Sequence, residues 1–168
     1  IAVANAGISG GGNDDEEKLR EILRINLDGV FNTINPLIPK MRARGHGHVV
    51  LMSSMAGFRG LPNAPAYSVS KVAVRALGDA LRPLLKDDGV LVSTIFPGFV
   101  KTPLTDVNRF PMPFLMEAEE AARIILQGIE EQRHVIAFPW QMHILCWLLS
   151  VIRRRWSDWI LSRAPKKN

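Results

Sequence analysis

Apolar and polar residues along this chain fall into blocks whose repeat switches between the two-residue period of a strand and the longer period of a helix. Ile1-Ala2-Val3-Ala4 is an apolar run closing on Asn5-Ala6-Gly7, which predicts a buried strand over residues 1–5. A polar, glycine-rich loop follows, and Asn13-Asp14-Asp15-Glu16-Glu17 offers a helix cap and first-turn acids. Leu19, Ile22, Leu23, Leu27, Val30 and Ile34 then recur at helical spacing. They predict one long helix from about Glu16 to Arg44, kinked or ended by Pro36 and Pro39. His48–Met52 reads as a second strand, and a loop with Gly57, Gly60, Pro62 and Pro65 leads into a helix from Ala66 to about Lys86. Val72, Val74, Leu77, Ala80, Leu81, Leu84 and Leu85 give that helix a wide apolar face. A third strand over 89–96 ends at Pro97-Gly98, residues 103–116 read as a loop able to cover a pocket, Met116–Glu131 as a helix and His134–Phe138 as a last strand. Strands alternating with helices imply crossover connections and a parallel sheet, an α/β fold.

Composition changes this picture little, and charge changes it at one end. The 168 residues are enough for one sizeable core. The single cysteine, Cys146, rules out an intramolecular disulfide framework and fits a reducing, cytoplasmic compartment. The formal charge of +5 is localised: from Arg153 onward, Arg153, Arg154, Arg155, Arg163, Lys166 and Lys167 face only Asp158, which leaves residues 1–152 neutral. The basic character therefore belongs to a tail and does not suggest a nucleic-acid-binding core. Gly7–Gly12 is rich in glycine but fits no Gly-x-Gly-x-x-Gly register, and Gly45-His46-Gly47-His48 reads as a turn with no metal role.

The candidate chemistry lies between the second strand and the helix after it. Ser54 follows the apolar run, Tyr67 comes thirteen positions later and Lys71 four after that. Residues four apart share a helix face, so an ammonium would stand beside a phenol. A neighbouring positive charge favours the phenolate and lowers the tyrosine pKa, which suits a proton donor or acceptor near neutral pH. A serine at the carboxyl end of a strand sits where open α/β sheets bind ligands, and can hydrogen-bond a substrate oxygen. Asn26 falls on the apolar stripe of the first helix, where a buried amide needs partners. It reads either as a structural tie to backbone or as a member of the site.

Four segments in order, Ala4-Asn5-Ala6-Gly7, Ile25-Asn26-Leu27-Asp28-Gly29-Val30-Phe31, the Ser54/Tyr67/Lys71 set and Pro97-Gly98-Phe99-Val100-Lys101-Thr102, resemble the short-chain dehydrogenase/reductase family over roughly the first 140 residues. Ala4 stands where the family often has Asn. The resemblance implies the C-terminal portion of a Rossmann-like, doubly wound parallel sheet over residues 1–138. The N-terminal βαβ units, with the phosphate turn and the residue that reads the adenosine ribose, are then expected upstream, and residues 1–168 alone are expected to have weak or no activity. It further implies hydride transfer between NAD or NADP and a carbonyl or alcohol carbon. Asn26, Ser54, Tyr67 and Lys71 would be catalytic, with Asn26 holding a water in a proton relay. Asn5, Ala6, Gly7, Tyr67, Lys71, Pro97, Gly98, Val100 and Thr102 would bind cofactor. The long helices at 16–44 and 66–86 would form a homodimer or homotetramer interface. The other reading of the same fold is a non-catalytic binding or assembly module.

Residues 139–168 form an apolar and basic extension. Phe138–Ile152 is interrupted by Gln141 and His143 and is shorter than the ~20 residues that cross a bilayer. Three readings stay open: a helix pair packed on the core or a subunit interface, an interfacial anchor giving peripheral membrane contact, or a cap over an apolar pocket that would favour a hydrophobic substrate.

Overall fold

Four strands, β1 (Ala2–Ala4), β2 (Gly47–Met52), β3 (Val90–Pro97) and β4 (Val135–Phe138), pair in parallel in chain order. The structure is a computed structural model that describes residues 1–10, 15–62, 64–106, 108 and 110–162; the cap candidates Asn13 and Asp14 and the tail residues Arg163, Lys166 and Lys167 lie outside the described residues. Ala2 pairs with Val49, Val49 with Val92, and Thr94 with Val135. The register sends alternate side chains to opposite faces. Val49, Leu51 and Val92 join Val30, Ile34, Val74 and Leu85 in one core, while Val50, Ile95, Ile136 and Phe138 join Ala121 in a second. Burial on both faces explains why β2 and β3 read as continuous apolar runs.

The helix expected over 16–44 is four pieces: α1 (Glu16–Leu23), a π-helical turn (Arg24–Asp28), α2 (Gly29–Ile34) and α3 (Ile38–Arg44). Asp15 caps α1 by accepting from Lys18 N at 2.8 Å. The π turn inserts one extra residue where Asn26 must be aimed inward. The second break falls at Asn35–Leu37, and Pro39 sits in the first turn of α3, where a missing N–H costs nothing.

Helix α4 (Pro65–Lys86) matches its expected span. Its apolar face is narrower than the sequence suggests: Val74 and Leu85 are fully buried, but Val72 is 43% and Leu84 62% exposed. Val74 and Leu85 join the first core, with Leu77 and Leu81 packed against it. The 103–116 segment is not loop throughout. A short helix, α5 (Pro103–Asp106), opens it, and a bridge between Val100 and Met116 closes it. Helix α6 (Ala118–Glu130) then covers the second core.

The C-terminal segment folds as α7 (Trp140–Val151) and α8 (Arg154–Leu161). The inner side of α7 packs on the body: His143 stacks against Phe58 at 5.2 Å and Leu149 is buried. Among the described residues no helix is long and apolar enough to cross a membrane.

Candidate active site

The carboxyl ends of the four strands bring their loops to one place. β1 runs into Asn5 and Gly7, β2 into Ser53 and Ser54, β3 into Pro97 and Gly98, and β4 ends at Phe138. These residues, with Met52, Tyr67, Lys71, Val100 and Thr102, line a cavity of about 370 Å³ whose far wall is Leu104, Thr105, Ala118, Ala121, Ala122 and Ile125. A wider hollow of about 930 Å³ runs along α1, but it is lined by that helix's own charges and its cap. Lys18 pairs there with Glu21 and Arg20 with Glu16.

Ser54 sits at the N-cap of a 3₁₀ turn (Met55–Gly57) and accepts from Ala56 N at 3.2 Å, which fixes its hydroxyl at the strand end. That hydroxyl also hydrogen-bonds the Tyr67 phenol. Lys71, one turn along α4 from Tyr67, is 4% exposed and donates to Met52 O at 2.9 Å. Its Nζ lies 5.5 Å from the centre of the Tyr67 ring. Tyr67 therefore has Lys71 on one side, as their four-residue spacing predicts, and Ser54 on the other.

The electrostatics differ from the sequence expectation. Burial raises the Tyr67 phenol above its ordinary value, and the Ser54 hydrogen bond only partly offsets this. Burial also lowers Lys71 to about 8. The expected lowering of Tyr67 by its neighbour is thus outweighed by the burial of the phenol itself, and Lys71 points a donor at Met52 O.

Asn26 is fully buried but lies outside the cavity lining. Its Nδ2 donates to Ile8 O (3.0 Å) and to Ser70 Oγ (2.9 Å), and its Oδ1 accepts from Ile8 N (2.9 Å). The structural tie foreseen for this amide is present. It pins the loop that carries Gly7, and a β-carbon on Gly7 would stand 3.2 Å from Asn26 Oδ1 and 3.5 Å from Lys71 Nζ. Ala6 is exposed and does not line the cavity.

The family model for short chain dehydrogenases matches residues 1–111. The chain belongs to the short-chain dehydrogenase family. An uncharacterised oxidoreductase of Myxococcus xanthus is 42% identical over 147 residues, covering 86% of this chain and 58% of that protein. The NADP-dependent (R)-specific alcohol dehydrogenase of Lentilactobacillus kefiri is 43% identical over 110 residues, 62% of this chain and 44% of that protein. A short-chain dehydrogenase/reductase from Burkholderia phymatum, solved with NAD, superposes with a TM-score of 0.76 at 23% identity, covering 99% of this chain and 68% of that one; this shows the shared fold. The chain spans about half the length of each of these two relatives.

Sequence reasoning missed two residues that hold the surroundings of this cavity in place. Ser70, fully buried, accepts from Asn26 and donates to Tyr67 O at 2.7 Å, joining the π turn to the tyrosine's own helix. Its signal was a second serine three positions after Tyr67 on the inward side of α4. Thr105 Oγ1 donates to Val100 O (2.7 Å) and accepts from Thr102 N (3.0 Å), and so shapes the loop after Gly98. Nothing in the periodicity marked it.

Proposed function

We propose that the whole protein is an NAD- or NADP-dependent oxidoreductase that moves a hydride between the nicotinamide ring and the carbon of a carbonyl or alcohol, with Tyr67 as general acid and base. The observation that carries this reading is the convergence of Ser54, Tyr67 and Lys71 on one cavity walled by the β1 and β3 loops. The relatives' names, one NADP-dependent and one crystallised with NAD, support the cofactor class.

The residues present fit a dinucleotide. The backbone at Gly7 closes on Asn26 and Lys71 so tightly that a side chain there would fill the cradle. Asn5, Ala6 and Gly7 would hold its nucleoside side, and Pro97, Gly98, Val100 and Thr102 its nicotinamide end. When bound, the nicotinamide supplies or accepts the hydride. The protein's own groups handle the proton. Ser54 holds the substrate oxygen, and Tyr67 gives that oxygen a proton in reduction and removes it in oxidation. Lys71, held by Met52 O, orients the cofactor ribose and steadies the phenolate. Asn26 Oδ1 keeps a second lone pair beyond its bond to Ile8 N, and would hold a relay water there.

The far wall, from Leu104 to Ile125, is apolar apart from Thr105 and favours a hydrophobic alcohol or ketone. Phe31, Val69 and Val72 stand exposed on α2 and α4, which suits burial in a homodimer or homotetramer. The test is Tyr67→Phe in the complete protein. We expect kcat to fall roughly 10²–10⁴-fold with cofactor binding retained. Carbonyl reduction at near wild-type kcat would remove Tyr67 from its role.

A further inference from the structure

The surface that the active site leaves unexplained is the outer side of the C-terminal helices. Helix α7 carries no Asp, Glu, Lys or Arg. Its only polar residues are Gln141, His143 and Ser150, and among the described residues its contacts lie on its inner side: Met142 against Gly98, His143 against Phe58, and buried Leu149. Here Trp140, Ile144, Trp147, Leu148 and Val151, at spacings of four, seven, eight and eleven from the first, form one outward stripe. They are 66%, 49%, 51%, 43% and 59% exposed. Trp156 continues the apolar surface onto α8 at 63% exposure. Contiguous apolar patches on this scale mark an interaction site.

We infer that this face docks in the plane of an anionic phospholipid surface. Charge complementarity selects the occupant. The stripe is uncharged, and the chain's positive excess begins where it ends: Arg153 and Arg155 are exposed beside Trp156, and the sequence from 153 onward holds six cations against one acid. A second copy seated on the same face by two-fold symmetry would bring these arginine clusters together, a like-charge contact that costs stability. An anionic leaflet attracts them instead. Every tryptophan of the chain, Trp140, Trp147, Trp156 and Trp159, lies in this segment, and indole rings favour the level of the headgroups. With twelve residues, α7 is about 18 Å long, short of the ~30 Å hydrocarbon layer, so it lies along the membrane and does not span it. This inference does not depend on the catalytic reading.

Because all four tryptophans sit in the docking segment, their fluorescence reads it directly. The complete protein is mixed with vesicles of phosphatidylglycerol and phosphatidylcholine, and separately with vesicles of phosphatidylcholine alone. A blue shift and quenching by brominated acyl chains are expected with the anionic vesicles and much less with the neutral ones. Arg153→Gln with Arg155→Gln should weaken binding roughly 25-fold, about five-fold for each charge removed. Trp147→Ser with Leu148→Ser, both at exposed positions, should abolish bromolipid quenching while leaving the circular dichroism spectrum unchanged. An emission spectrum unmoved by anionic vesicles overturns the inference. So does a blue shift that appears with protein concentration in the absence of lipid, which would make a second copy the occupant.

Discussion

Asn26 donates a buried 2.9 Å hydrogen bond to Ser70, a residue forty-four positions further along the chain. Ser70 in turn donates to the Tyr67 carbonyl, so one hydroxyl connects the π turn, through Asn26, to the Ile8 loop and to the helix that carries the tyrosine. The first prediction concerns this link. Ser70→Ala should leave a buried amide donor without its acceptor and cost about 1–3 kcal/mol in urea-denaturation experiments. In the complete protein it should also lower kcat more than it raises KM, because it loosens Tyr67 without touching the cavity. Unchanged stability would mean that the Asn26–Ser70 bond carries no weight.

Gly98 tests how tightly α7 is fastened to the active-site loops. A β-carbon there would stand 2.8 Å from Met142 Sδ and 2.9 Å from Pro139 Cδ. Gly98→Ala should therefore destabilise by about 1–3 kcal/mol through overpacking. Met142→Ala in the same chain should recover part of that loss. A double-mutant cycle on the two positions measures the coupling, and a coupling energy of zero would show that α7 yields freely.

Lys71 should leave a signature on alkaline stability. Its folded-state pKa of about 8 lies below the model-peptide value of 10.5. Below pH 8 the amine is protonated in both states and the cost of burying charge is fully present. Between about 8 and 10.5 the unfolded chain binds the extra proton, so stability rises with pH. Lys71→Met should be the more stable protein at pH 7, by up to about 3 kcal/mol, less the lost bond to Met52 O. The difference should shrink towards pH 10, the point beyond which the raised Tyr67 phenol reverses the trend, since the unfolded tyrosine then ionises first. Parallel pH profiles for the two proteins would expose the error in this assignment.

His48 should act on the acid side. It is 6% exposed, its Nε2 is 2.7 Å from Ser93 Oγ, and Ser93 donates to Arg133 O. Ser93 thus accepts from a neutral imidazole, and burial keeps the His48 pKa below its ordinary value of 6.5. The unfolded histidine takes up a proton first as pH falls, so stability is full above 6.5 and declines below it. His48→Gln should flatten the urea midpoint between pH 7 and 5. A variant with the wild-type slope would assign the acid limb to other groups.

Much of this site was legible in the sequence because its logic is local. Tyr67 and Lys71 lie one turn apart on a helix, so spacing brings those two together, and Ser54 stands just past a buried strand, at the sheet end where such sites gather. The helix over 16–44 was overestimated because a π turn leaves hydrophobic periodicity almost intact: Ile22, Asn26, Val30 and Ile34 still point inward on either side of it. Ser70 and Thr105 went unseen because their partners come from distant residues or from backbone, which apolar patterning does not encode. The direction of the Tyr67 shift was misread for a related reason. Adjacency to an amine is written in the sequence, but the depth at which the pair is buried is a property of the whole fold.

The cavity takes its chemistry and its shape from different parts of the chain. Serine, tyrosine and lysine are anchored to the sheet and its covering helix, whereas Leu104, Thr105 and Ala118 belong to the excursion that leaves β3 and returns at α6. That excursion ties back to itself through Val100 and Met116. The wall it builds is therefore separable from the groups it faces: a change confined to residues 103–115, between the same two bridge points, would alter the cavity's shape and polarity while Ser54, Tyr67 and Lys71 keep their own anchors.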